Sequence, residues 1–394
     1  MSEASLGRPI ALLSAAAFVS VASMRVADPL LPQVAQEFGV SAGDASVIAT
    51  AFALAYGLCQ LIYGALGDRF GKYRLVALMT LVSALTVASA GFADSLAVLG
   101  LARLAAGATA AAIVPLGMAF VGDHVPYRDR QAVLARFLTG TIFGLVGGQI
   151  LGGVLGELVG WRAVFWLLGG LFLLVGLLLL AELRSSRVPA SVLTASISPA
   201  ALIRGYALLF GRSWARIVLA TVFVEGLLFY GAFTFIGAYL RERFGLDYAL
   251  VGLVLGCFGL GGLVYALTVR RLMDLLGERG LALGGGAILT LGYLAVAWGS
   301  LALMAPAIAA LGLGMYMLHA TLQTNATQMA PEARGLAVST FANALFLGQA
   351  AGVWLAGVAV DRIGFPPVFV ALGIGLVLLG AIFAALLGRR PAAS

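Results

Sequence analysis

Charged residues in this 394-residue chain punctuate it rather than scatter along it. Between them run uncharged stretches such as Ala45–Gly67, Leu75–Ala93 and Gly280–Pro331. A helix needs about 20 apolar residues to cross a bilayer. The bilayer interior offers no hydrogen-bond partner to an unpaired backbone group, so such stretches are compelled to be helical. Charged residues make up 10% of the chain, against about 25% in soluble domains. The pattern therefore predicts an all-α integral membrane protein embedded in a lipid bilayer. The net charge of +7 does not point to nucleic acid, because the basic residues sit at the ends of apolar spans and form no soluble basic face. The two cysteines, Cys59 and Cys257, lie inside apolar spans and imply neither a disulfide framework nor a metal site. No cofactor motif is present.

Taken in order, the sequence predicts twelve spans. The first runs from Ile10 through Arg25 and Asp28 and distorts or ends near Pro29 and Pro32. The others are expected near 44–66, 75–93, 95–121, 137–158, 163–182, 217–240, 248–269, 280–302, 305–329, 335–360 and 366–388. The uncharged run after Gly280 is too long for one crossing and is expected to break near Pro306. The stretch 184–216 carries five arginines and no acidic residue, and Pro189, Pro199 and several serines interrupt it. It reads as a linker between an N-terminal bundle (1–183) and a C-terminal bundle (217–394), with a short interfacial helix near Ser198–Phe210.

Basic residues favour the cytoplasmic side of a membrane. Twelve spans with both termini inside place Arg8, the loops around Arg69, Arg128 and Arg270, the whole 184–216 stretch and Arg390 in the cytoplasm. Only Arg162, Arg241, Arg243 and Arg362 fall outside.

The junction of the second and third spans reads Gly64-Ala-Leu-Gly-Asp68-Arg69-Phe-Gly71-Lys72-Tyr-Arg74. Glycines permit a sharp turn and close approach, and a carboxylate among cations can pair or sit at a helix N-terminus. The segment resembles the loop signature of the major facilitator superfamily, G-x-L-x-D-R-x-G-R/K-x-R. That resemblance implies a twelve-helix transporter of two six-helix bundles working by alternating access, monomeric, in the cell's inner membrane. It also implies that Asp68 holds the two bundles together in one conformational state.

Two further segments bear on the type of transporter. Arg103, within Leu99-x-x-x-Arg103-x-x-x-Gly107, resembles the fourth-helix signature of the drug–proton antiporters. Gly144-x-x-x-Gly148-Gln149-x-x-Gly152-Gly153 resembles their fifth-helix signature, with Gln149 where the signature has proline. The glycines alone would allow close packing against the eighth helix in the other half.

The halves are related. A slide of 204 positions aligns Gly144 with Gly348, Gly148 with Gly352, Gly153 with Gly357 and Phe165 with Phe369. Parallel repeats of this kind build transporters whose site lies near the midplane between halves.

Ionisable groups inside a membrane are costly and mark cavities or partners. Here they are Arg25 and Asp28 in the first span, Arg103 in the fourth and Glu225 in the seventh, with His319, Gln323 and Asn325 adding polarity to the tenth. Arg25 and Asp28 share a helix face and can pair. Arg103 and Asp28 lie at similar depth, so a pair or triad is geometrically open; the plainer reading makes Arg103 a structural arginine bound to backbone carbonyls. Glu225 stands alone in its span, which suits a proton carrier, or a neutral side chain bonded to a neighbouring helix. The aromatics around it, Phe229, Tyr230, Phe233 and Phe235, read as packing or as a face for lipophilic cations. The resemblance places the first, fourth, seventh and tenth helices around the central cavity, the same helices that carry these groups.

The favoured function is proton-coupled export of a small amphipathic compound. The alternative is import or facilitated passage of a sugar or organic anion, with Arg25 and Arg103 binding the anion. A membrane enzyme or receptor finds no support, since no nucleophile–base pair, nucleotide loop or soluble domain is legible.

Overall fold

The computed structural model describes residues 3–185, 199–330 and 334–388. Arg187, Arg389, Arg390 and residues 186–198 of the expected linker lie outside these residues. The described chain is helical throughout. Its elements are α1 (Glu3–Arg25), α2 (Ala27–Phe38), α3 (Ala42–Ala45), α4 (Val47–Phe70), α5 (Lys72–Ala90), α6 (Leu96–Ala110), α7 (Ile113–His124) and α8 (Tyr127–Arg184) in the first half. The second half holds α9 (Pro199–Gly211), α10 (Ser213–Phe233), α11 (Ile236–Phe244), α12 (Tyr248–Gly256), α13 (Phe258–Trp298), α14 (Leu301–Ala326), α15 (Arg334–Ile363) and α16 (Phe365–Leu387).

Among the described residues, ten helical stretches are long and apolar enough to cross a membrane. Two of them, of 57 and 51 residues, are each too long for one crossing. They break at Gly160 (φ 79°) and Gly277 (φ 62°), where only glycine turns the chain without strain. With those breaks the chain is consistent with twelve crossings.

The limits differ from expectation in instructive places. The first span kinks at Val26, between α1 and α2, and continues to Phe38 through Pro32. Proline removes the hydrogen bond to the carbonyl four residues back; for Pro29 and Pro32 those carbonyls belong to Arg25 and Asp28. The break expected near Pro306 falls instead at Gly299 and Ser300, both extended, and Pro306 is absorbed into α14. Part of the 184–216 stretch is helix: α9 lies close to its expected place, and α10 already begins at Ser213.

The 204-residue repeat reappears in the packing. A Cβ on Gly144 or Gly148 would lie 2.5 or 2.7 Å from the carbonyl oxygens of Phe18 or Ala22 on α1. On Gly348 or Gly352 it would lie 2.0 or 2.1 Å from those of Phe223 or Leu227 on α10. Gly107 against Phe52 and Gly312 against Phe258 repeat the device. Small residues let membrane helices touch backbone to backbone, and here they do so at equivalent places in each half. Between the halves, α8 packs on α12 and α15 on α3 and α4.

Candidate functional site

The kink at Val26 sets the first cluster. Arg25 and Asp28 flank it, both buried, with Arg25 Nη1 3.9 Å from Asp28 Oδ2. Gln149, from the glycine-rich part of α8, donates from Nε2 to the same Asp28 oxygen at 2.8 Å. Gln149 therefore occupies the signature's proline position as a hydrogen-bond donor within the helical part of α8 before Gly160. Across the interface, the Arg25 guanidinium lies 4.3 Å over the ring of Tyr230 on α10. A Cβ on Gly237 of α11 would lie 3.1 Å from the Asp28 carbonyl, so the second half approaches the kink closely.

Arg103 is fully buried beside this cluster and follows the plainer reading. Its Nε donates to the Ile48 carbonyl at 2.8 Å and its Nη1 to the Ser23 carbonyl at 3.0 Å. Its Cζ stands 4.3 Å over Phe52 and 5.4 Å over Phe165. The ion pair to Asp28 within 4 Å is made by Arg25, not by Arg103. Arg103 thus pins the fourth span to the first and second, while its buried Nη2 has no hydrogen-bond partner among the described residues.

The second cluster joins α10 to α14. Glu225, 0% exposed, meets His319 with Oε2 2.8 Å from Nδ1. The other oxygen, Oε1, is buried with no hydrogen-bond partner among the described residues. His319 is part-exposed and its ring packs 5.3 Å from Phe341. A carboxylate and an imidazole at this distance can share or pass one proton. Tyr230 is five residues past Glu225, so the clusters are about 8 Å apart along α10.

The remaining residues of the tenth span do not join. Asn325 lies about 9 Å further along α14 than His319; its Nδ2 reaches Glu278 at 3.4 Å and the Thr321 carbonyl at 2.9 Å. Gln323 is exposed. Phe229, Phe233 and Phe235 are buried packing, with Phe229 and Phe233 stacked at 5.3 Å.

At the loop signature, Gly71 (φ 88°) makes the turn between α4 and α5. Lys72 Nζ pairs with Asp68 at 3.1 Å and also with Asp123 at the end of α7. Asp68 therefore bonds inside its own half in this state. Arg69 and Arg74 are exposed. Gly64 has open space where a Cβ would stand, so no close approach requires it here. Of the four glycines expected against the eighth span, only Gly153 makes that contact, at Tyr248 and Gly252 on α12; Gly144, Gly148 and Gly152 pack on the first span instead.

Sequence reasoning missed Tyr230 as the partner of Arg25, Asp123 as a second partner of Lys72, and the echo of the loop signature in the second half. Asp274 and Gly277 follow Asp68 and Gly71 by 206 positions, and that spacing was a readable signal.

The chain matches the family model described as Major Facilitator Superfamily over residues 13–334 and 218–394. It is 34% identical to the "Putative uncharacterized transporter YgaY" of Escherichia coli (strain K12) over 173 residues, which span 43% of this chain and 43% of that relative. It is 27% identical to the "Chloramphenicol resistance protein" of Streptomyces lividans over 87% of each chain. Among solved structures, it resembles a bacterial homolog of the human lysosomal transporter Spinster with a TM-score of 0.78, at 17% identity and over 100% of both chains.

Proposed function

The chain belongs to the major facilitator superfamily and is a membrane transporter, and from that premise we propose that it exports a small amphipathic compound in exchange for protons. The observation that carries this reading is the Glu225–His319 pair, a fully buried carboxylate hydrogen-bonded to a part-exposed imidazole on a facing helix. An ionised carboxylate there is costly unless a cation faces it, so loading or removing one proton changes the charge of the pair. Substrate arriving in the cavity and a proton leaving the pair then become linked events. Each state favours a different conformation only to the extent of its differential binding. Arg25 and Tyr230 form a contact between halves that such a cycle must open and remake, with Asp28 and Gln149 holding Arg25 from within the first half. Similarity to a chloramphenicol resistance protein supports export of an amphipathic compound. On this reading the protein acts as a monomer in the cytoplasmic membrane, with residues 1–183 and 217–394 as the moving bundles and both termini in the cytoplasm.

The test is a proteoliposome assay with an imposed pH gradient and chloramphenicol as the first compound of an amphipathic panel. Glu225→Gln keeps the side chain's shape and removes its proton site. It is expected to lose gradient-driven accumulation while retaining downhill exchange. Full uphill transport by Glu225→Gln would remove the pair from coupling and leave Asp28 as the candidate.

A further inference from the structure

Two contacts between the halves repeat each other. Glu157, near the end of the fifth span, accepts a hydrogen bond from the backbone N–H of Tyr248 at 2.8 Å. Asp361, 204 positions later and near the end of the eleventh, accepts from the backbone N–H of Gly43 at 3.0 Å and from Ser41 Oγ at 2.6 Å. Tyr248 and Gly43 lie in the first turns of the eighth and second spans. In both cases a glycine four residues before the carboxylate, Gly153 or Gly357, lets the facing helix approach: Gly153 meets Gly252, and Gly357 meets Gly43. Each helix start already has its own side-chain cap, Ser41 bonding the Asp44 N–H at 2.9 Å and Asp247 bonding the Leu250 N–H at 2.6 Å. The carboxylate from the other half is therefore an addition to a complete local cap.

We propose that Glu157 and Asp361 are a pair of equivalent latches that hold this end of the transporter shut. The first N–H groups of a helix have no partner within it, and the helix N-terminus favours a negative charge. Donor and acceptor belong to different halves, so opening this end must break both contacts. The spacing is legible as Gly153-Val-Leu-Gly-Glu157 and Gly357-Val-Ala-Val-Asp361. The proposal concerns the conformational equilibrium and does not depend on what is carried or whether protons drive it.

The experiment is pulsed electron–electron distance measurement on the reconstituted protein without substrate. Spin labels go on Asp94→Cys and Ser300→Cys, exposed positions at this end in opposite halves, with Cys59 and Cys257 replaced by Ser. Glu157→Gln or Asp361→Asn is expected to raise the open-to-closed ratio about two- to fivefold each, and the double variant about four- to twenty-fivefold, since carboxylate–helix terms of this size add in free energy. Glu242→Gln, an exposed carboxylate at the same end, controls for surface charge and is expected to change nothing. A double variant with the parent distance distribution, or a shift no larger than that of Glu242→Gln, would overturn the proposal. Should the double variant not fold, Glu157→Asp keeps the charge but shortens the reach. It is expected to shift the ratio the same way, and an unchanged distribution there would equally overturn it.

Discussion

Arg103→Lys separates anchoring from charge. The native guanidinium makes two bonds in different directions, to the Ile48 and Ser23 carbonyls, and stacks on Phe52. An ammonium keeps the charge but not the planar fork, so it can hold one of the two carbonyls well. Polar contacts between membrane helices average about 0.6 kcal/mol and reach about 1.7. A fully buried charged donor belongs at the upper end of that range, and the weakened ring contact adds about 0.5 to 1 kcal/mol. The expected loss is therefore about 2 kcal/mol, with charge unchanged. Thermal unfolding in nanodiscs should place Arg103→Lys several degrees below the parent. A double-mutant cycle with Asp28→Asn should give less coupling for Arg103 than for Arg25, since Arg25 is the cation 3.9 Å from Asp28. An Arg103→Lys variant that melts with the parent would refute the anchoring argument. A larger Arg103–Asp28 coupling would restore the direct pair that sequence left open.

Gln149→Leu removes Asp28's donor and should cost about 1 to 3 kcal/mol of stability, since the partner left behind is a buried carboxylate; chemical denaturation in mixed micelles reads this, and a parent-like midpoint would contradict it. Gly348→Ala should be far more damaging than Gly64→Ala, because the first Cβ would stand 2.0 Å from the Phe223 carbonyl and the second meets nothing within 4 Å; equal melting temperatures would contradict the packing argument. Asp68→Asn should leave folding within about 1 kcal/mol, since Lys72 retains Asp123 and part-exposed pairs contribute little, yet shift the accessibility of cavity cysteines; unchanged labelling with normal transport would remove Asp68 from conformational control. Membrane-impermeant labelling of Arg204→Cys should succeed only from the cytoplasmic side, and external labelling would reverse the orientation.

The all-helical fold was legible because its cause is local: an uncharged run of sufficient length has one solution in a bilayer. The repeat was legible because glycines that touch backbone tolerate no substitute, so their spacing survives at 204 positions. Break positions were legible only in part. Gly160 and Gly277 turn the chain within the gaps expected between spans, while Pro306, the more conspicuous residue, is accommodated within a helix and the break falls at Gly299 and Ser300. The site was legible in its members and not in its pairings. Arg25–Asp28 lies within reach in one span, so spacing predicted it. The partners of Arg103 are backbone carbonyls, which a sequence cannot distinguish. Glu225 looked solitary because His319 is 94 positions away, and only the packing of α10 on α14 brings them together.

The two halves are alike in their scaffold and at the Glu157 and Asp361 contacts, and unlike where Arg25 meets Tyr230. Gly144 and Gly348, Gly148 and Gly352, Gly107 and Gly312 repeat because each half must pack in the same way. Relating Phe18 to Phe223, and Ala22 to Leu227, offsets the first and seventh spans by 205 positions. That offset takes Arg25 to Tyr230, and these two are in contact, guanidinium over ring. Pseudo-equivalent residues that meet across the interface would face each other as like charges if both were arginine, which is costly in a bilayer. One cation against one aromatic ring instead gives attraction at the same place. It needs no ion pair between the halves, so separating them strands no counter-charge. The Asp28 that neutralises Arg25 and the Gln149 that bonds it stay within the first half. The contact between the halves can then open without carrying an unpaired ion with it, as a reversible interface in a low-dielectric setting requires.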